Sequence, residues 1–225
     1  MPGAAKHVTI AVSGFLSEST NEDKEWLHMK NHIVPSKTGI FVYKWESKKL
    51  KDLAIALGKL TAKLGVEVAI TLASGGQLSL LKCLLMGSNV TEFVELFRGA
   101  KANAKRSGRL LACALAIRFP FFTQTISLVG FSLGCQVLKT CIKTLHKLGA
   151  TDVLQNVTFM GGAVDKLDKQ KNRGLWADIL SSQVPGVVTN VYTRKDAILL
   201  LYSAAEFDYA IGRNAMFARP KPGQR

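Results

Sequence analysis

Hydrophobic and polar positions along this chain follow two different periods in turn. His7-Val-Thr-Ile-Ala-Val12 is a short β-branched run stopped by Ser13-Gly14, which predicts a first strand. Ile40-Phe-Val-Tyr-Lys-Trp45 alternates and is aromatic, predicting a second. Between residues 49 and 64 the period changes. Leu50, Leu53, Ala54, Leu57, Leu60 and Leu64 recur at three- and four-residue spacing, the mark of an amphipathic helix, and Gly65 stops it. Residues 66–122 read as helices broken at Gly75-Gly76 and Gly87-Ser88-Asn89, with Thr91 as a cap for a helix starting at Glu92. Thr125-Ile-Ser-Leu-Val129 has the composition of a buried strand. A helix follows over residues 133–148, with Leu138, Ile142 and Leu145 inward and Lys139, Lys143 and Lys147 on the wet face. Val157-Thr-Phe-Met160 and Val187-Val-Thr-Asn-Val-Tyr192 are further strands, and 197–204 is apolar and helical in character.

Strands that alternate with helices imply a mostly parallel sheet wrapped by helices on both faces, because parallel neighbours need long crossovers. With 225 residues and no internal repeat, the pattern predicts a single α/β domain over 1–225, a helical insertion at 66–122 and a mobile tail at 218–225. Hydrophobic residues make up 48% and charged ones 20%, which excludes a disordered chain. The net charge of +14 changes the picture of partners: it favours acidic proteins or an anionic membrane surface. Nucleic acid is not favoured, since no RNA-binding or helix-turn-helix pattern accompanies the charge. Lys101, Lys105, Arg106 and Arg109 cluster in the insertion, either as a solvated face or as a contact for lipid head groups or an acidic partner. The apolar runs 68–81 and 110–122 are too short or too interrupted to span a bilayer. Cys83, Cys113, Cys135 and Cys141 form no CxxC pair and have no metal-ligand spacing, so no metal site is expected and reduced thiols point to an intracellular protein. The N-terminal residues have neither signal-peptide nor transit-peptide character.

One motif carries chemistry. Gly130-Phe131-Ser132-Leu133-Gly134 matches G-x-S-x-G between a buried strand and a helix, the context of a nucleophile elbow. Small residues two positions either side of Ser132 let backbone pass closely, and the helix N-terminus favours developing negative charge. The N–H of Leu133 is one expected oxyanion donor. Ser13-Gly14-Phe15-Leu16, after the first strand, offers the Phe15 N–H as the other. The plainer alternatives are a serine that caps the helix and an ordinary glycine turn.

Several segments in order extend the picture. Ser13-Gly14-Phe15-Leu16-Ser17-Glu18, Tyr43-Lys44-Trp45-Glu46-Ser47, Val129–Gly134, Gly161-Gly162-Ala163-Val164 and Asn190-Val191-Tyr192 resemble the transmembrane and coiled-coil domain-containing protein 4 family, over nearly the whole chain. The resemblance implies an α/β-hydrolase-like fold, with a helical insertion, regarded as membrane-associated, before the elbow strand. It implies Ser132 as nucleophile and Asp196 as the acid, although Ala197 stands where family members usually carry Trp; Asp165 is the second choice. Either carboxylate could instead cap a helix or lie on the surface. The base breaks the pattern. The fold's order runs Ser, acid, His, yet no histidine follows Asp196, and the four present are His7, His28, His32 and His146. The expectation is therefore a degenerate hydrolase-like protein that requires no cofactor. It would act as a binding or scaffold subunit within a larger assembly, membrane-associated or mitochondrial. The alternative is a serine esterase or lipase using Ser132.

Overall fold

The computed structural model describes residues 6–14, 26, 38–45, 88–165, 175–196, 199, 203, 210–214 and 216. Five strands form one sheet: β1 (His7–Val12), β2 (Gly39–Val42), β3 (Thr125–Phe131), β4 (Leu154–Met160) and β5 (Val188–Val191). Among the described residues three helices have defined bounds: α1 (Ser88–Ala116), α2 (Gly134–Lys147) and α3 (Leu175–Gln183). The sheet order is β2-β1-β3-β4-β5 and all four pairings are parallel. The chain is thus an α/β protein with helices packed on a parallel sheet.

Alternation along each strand divides the core. Val8, Ile10 and Val12 of β1 join Ile126 and Leu128 of β3 and Val157 and Phe159 of β4 in one large cluster. α1, α2 and α3 press onto that face through Leu111, Leu115, Leu138, Ile142, Ile179 and Leu180. Residues of opposite parity, Ala11 and Val129, turn to the other face and pack with Trp26. The three described helices share one face because all three crossovers move the chain the same way along the sheet, and parallel crossovers are right-handed. β1 to β2 moves the other way. That connection supplies the opposite face, where Trp26 is its described helical residue.

Most predicted elements stand. β1 has the expected bounds, and β3 and β4 extend the expected runs to Phe131 and back to Leu154. β2 ends at Val42 rather than Trp45, although the Tyr43 N–H still donates to the Ala11 carbonyl at 2.8 Å. The insertion's described part is one helix of 29 residues that begins at Ser88, so Thr91 lies inside the helix rather than at its start. The expected helix 49–64, the stretch 66–87 and the tail 218–225 lie outside the described residues. In 197–204, Leu199 and Ser203 are described and helical.

Two lysines do not lie where periodicity put them. Lys139 is buried at 6% exposure, not on the wet face of α2, and Lys101 is equally buried, not part of a solvated stripe on α1. Both turn toward Asp165. The Lys101 ammonium lies 3.3 Å from its carboxylate, while Lys139 donates to its backbone carbonyl at 3.2 Å and sits 5.4 Å from the centre of the Trp176 ring. Helical periodicity identifies a face but not a partner. Here α1 and α2 cross so closely at Gly108, where a Cβ would meet the Val137 carbonyl and lie 2.8 Å from the Thr140 Cβ, that the seam between them also carries polar side chains.

Candidate functional site

The sheet order creates a crevice before any side chain is considered. β1 leads outward to β2, whereas β3 leads the other way to β4 and β5, so the chain leaves β1 and β3 in opposite directions. In open parallel sheets the carboxyl end of such a pair is where ligands bind. Ser13-Gly14 follows β1 there, and Ser132 follows β3.

Ser132 lies in a sharp bend. Its φ is +53°, in the left-handed region that costs a side-chain-bearing residue about 1–2 kcal/mol. Backbone bonds hold it there: its N–H donates to the Met160 carbonyl at 3.0 Å, and its own carbonyl accepts from Cys135 and Ala163, each at 3.1 Å. The flanking glycines sit in close contact with their neighbours, and Gly134 leaves no room for a side chain. A Cβ on Gly134 would run into the Val12 carbonyl, and one on Gly130 would lie 2.9 Å from Leu138. A Cβ on Gly14 would lie 2.5 Å from the Phe131 carbonyl and 2.6 Å from the Ser132 Cβ. The loop after β1 therefore rests directly on the serine bend.

Leu133 occupies the N-cap position of α2 with helical φ and ψ, and no side chain caps the helix. Ser132 is therefore not the helix cap. Among the described residues, neither the Leu133 N–H nor the Ser132 hydroxyl has a hydrogen-bond partner. Both are available at a half-exposed bend at the start of a helix, where partial positive charge gathers. Phe15 lies just outside the described residues; the loop that leads into it touches Ser132.

Two residues that sequence reasoning missed secure this loop. The Trp26 indole N–H donates to the Ser13 hydroxyl at 2.7 Å, and the Trp45 indole N–H donates to the Ser13 carbonyl at 2.9 Å. Both indoles are buried, at 4% and 8% exposure. Two indoles on one residue over-determine its position, which is how a strained junction stays in place. The sequence signal was faint: tryptophan at 45 closes an aromatic run, and nothing in either segment names Ser13.

The remaining predicted groups are placed elsewhere. Asp196 accepts the Leu199 N–H at 2.9 Å, the contact of a helix-capping aspartate. It also faces Arg213, whose guanidinium donates to the Arg194 carbonyl at 2.6 Å; burial pulls Arg213 below its ordinary pKa while the Asp196 charge opposes that pull. Asp165 is held by Lys101. His7 bonds Thr125 Oγ1 at 2.6 Å, at the opposite end of the strands, and burial lowers its pKa. His146 lies on the last turn of α2, 3.5 Å from the Ser182 hydroxyl. Among the described residues no imidazole lies beside Ser132; His28 and His32 are outside them. Beneath the bend the Cys135 thiol donates to the Gly130 carbonyl at 3.1 Å, and burial pushes its pKa up to about 12, so it is a packing residue and not a nucleophile. Among the described residues no cluster of His, Cys, Asp or Glu could hold a metal ion.

The segments Gly161–Val164, Asn190–Tyr192 and 210–214 meet beside the bend. The Asn190 amide donates to the carbonyls of Ile211 and Asn214 at 3.1 and 3.0 Å, and Gly212 donates to the Gly162 carbonyl at 3.0 Å. These bonds tie the chain after β5 to the loop that accepts and supports Ser132.

Two curated relatives share this arrangement of sequence. The chain is 29% identical over 210 residues to "Uncharacterized membrane protein C6F6.13c" of Schizosaccharomyces pombe, covering 86% of this chain and 33% of that protein. It is 27% identical over 223 residues to "Uncharacterized membrane protein F35D11.3" of Caenorhabditis elegans, covering 93% and 34%. It spans about a third of the length of either relative. With residues 2–216 matched, the chain belongs to the family described as "Protein of unknown function (DUF726)".

Proposed function

We propose that this chain is a degenerate α/β-hydrolase-like domain, of the transmembrane and coiled-coil domain-containing protein 4 type, that binds a ligand at Ser132 without turning it over. The observation that carries the reading is the commitment of every described candidate for proton transfer. His7 is spent on Thr125 at the far end of the strands, His146 reaches toward Ser182, Asp196 caps Leu199, and Asp165 pairs with Lys101. A serine hydroxyl without a base is a weak nucleophile, and a positioned base is worth about 10²–10⁴-fold in rate. What remains is a donor pair, the Ser132 hydroxyl and the Leu133 N–H, suited to a carbonyl or anionic oxygen. Such a domain would serve as a binding or scaffold subunit.

A second reading is a serine esterase. It is favoured by the left-handed φ of Ser132, a strain that active-site nucleophiles commonly bear. Ser132 would attack an ester carbonyl, the N–H groups of Leu133 and Phe15 would hold the oxyanion, and water would release the acyl group. The base would be His28, His32 or an imidazole from another chain.

A fluorophosphonate probe separates the two. On the first reading, labelling stays far below stoichiometric and is no greater than in Ser132→Ala, with no ester turnover above that variant. Stoichiometric labelling that maps to Ser132 by peptide mass spectrometry would sink it and establish the esterase.

A further inference from the structure

The sheet ends on β5, and β5 has an open side. It stands last in the strand order and pairs only with β4 among the described strands. The Val187 carbonyl accepts the Val157 N–H at 3.0 Å, and the Val191 carbonyl accepts the Gly161 N–H at 2.9 Å. Odd-numbered residues therefore bond to β4, and the N–H and C=O groups of Val188 and Asn190 turn outward. Among the described residues none of these four groups has a hydrogen-bond partner. Exposed strand edges are commonly blunted by lysine, proline or a bulge. From Gly186 to Thr193 this one carries no charge and no proline, and β5 follows β4 in unbroken register.

The edge is also held in place. At one end the Val187 N–H donates to Asn156 Oδ1 at 2.8 Å. At the other the Thr193 N–H donates to the Gly212 carbonyl at 3.0 Å, and the Asn190 amide bonds the carbonyls of Ile211 and Asn214. A strand fixed before it meets a partner loses little entropy on pairing. Val188 packs on the large core cluster, so Val187, Thr189 and Val191 share the face turned away from α1, α2 and α3. Val187 and Val191 are 65% and 52% exposed, and Thr189 between them is exposed. The row Val-Thr-Val reads the same from either end.

We infer that β5 is a self-association edge, pairing antiparallel with β5 of a second copy about a two-fold axis at Thr189. In this register Val188 of each chain faces Asn190 of the other, and the outward groups of the two strands satisfy one another. Thr189 meets Thr189 at the axis, and Val187 meets Val191 on either side of it. Such β-branched cross-strand pairs stabilise a sheet. Charge fits as well. The same register carries the exposed Arg194 and Lys195 of each chain toward the last turn of α3 in the other, which has no basic side chain of its own. A helix C-terminus carries partial negative charge and favours cations. The symmetric row and this complementarity select a second copy over an unrelated strand. A four-residue strand and its flanks cover less than the about 800 Å² per partner of a standard interface, so the dimer is reversible and of micromolar affinity. Pairing joins two five-stranded sheets into one, with the Ser132 bends facing opposite ways. It does not depend on whether Ser132 is catalytic.

Sedimentation equilibrium of the full chain tests it, at physiological ionic strength where a Debye length of about 8 Å screens the net positive charge. A monomer–dimer equilibrium is expected. Thr189→Lys should weaken it about tenfold or more, because like charges then face each other at the axis. Thr189 is exposed, so the melting curve should match the parent. A second measurement needs no disruption of the dimer. Non-hydrogen-bonded neighbours on antiparallel strands have Cα atoms about 4.5 Å apart, within reach of a disulfide. With diamide as oxidant, Thr189→Cys should join itself through a disulfide between the two cysteines at 189, mapped by peptide mass spectrometry. Val191→Cys alone should not join itself, but should crosslink to Val187→Cys when the two variants are mixed. A monomer at every concentration, a dimer undiminished by Thr189→Lys, or a Val191→Cys chain that joins itself as readily as Thr189→Cys does would overturn the inference.

Discussion

Among the described residues, Ser132 is one of three non-glycine residues with positive φ, beside Arg118 and Asp152. The other two lie in exposed loops. Ser132 is set apart by what surrounds it: carbonyl and N–H bonds from β4 and α2 fix the bend, and glycine backbone from β1 and α2 packs against it. The strain is therefore intrinsic to residue 132 and maintained by its neighbours. Ser132→Gly removes the left-handed penalty at the cost of some chain entropy, and it should raise stability by about 0.5–1 kcal/mol in denaturant titration. A loss of stability instead would mean that the serine side chain is itself a structural contact. The need for glycine at 130 and 134 was legible from the motif. The role of Gly14 was legible only as a turn, because its neighbour in space is 118 residues away along the chain.

At the scale of elements, a buried ion pair links the long helix α1 to the loop after β4. Lys101 crosses to Asp165, and Lys139 from α2 reaches the same residue, so three segments converge on a buried polar point. Such points are sensitive to partial removal, since a buried charge left unpaired costs about 3–5 kcal/mol. Asp165→Asn should destabilise the chain by about that much in urea unfolding. Asp165→Asn/Lys101→Met should recover a good part of the loss, because it removes the buried ammonium together with the carboxylate it pairs with. Equal loss in the single and double variants would show that the pair is incidental. The family resemblance gave Asp165 as the second-choice acid after Asp196; in the structure its carboxylate lies 3.3 Å from Lys101 of the insertion helix. The elements themselves were largely legible, since β1, β3, β4 and α2 each carry a clean period. α1 was legible as a helix starting at Glu92, but its packing was not, because its buried positions include small residues, Ala100, Ala104, Gly108 and Ala112, which let α2 approach closely but give little hydropathy signal.

On the scale of the molecule, the serine bend and the exposed apolar residues Ile117, Phe119 and Phe122 sit at opposite ends of the sheet. Two indoles gather at the serine end, where Trp26 and Trp45 bond Ser13, and Trp176 lies near Phe159 and Lys139 at the start of α3.

The order of strands and helices, the parallel character of the sheet and the G-x-S-x-G bend were determined by sequence alone, because each depends on local periodicity or on close backbone contacts that glycine allows. The excess of positive charge was equally plain, though not its layout. Tertiary structure decided which lysines are buried, which tryptophans hold Ser13, and that Asp196 and Asp165 bond to Leu199 and Lys101. Those outcomes depend on groups brought together from distant parts of the chain, and a pattern read along one strand or helix contains no information about which neighbour the fold will place across from it.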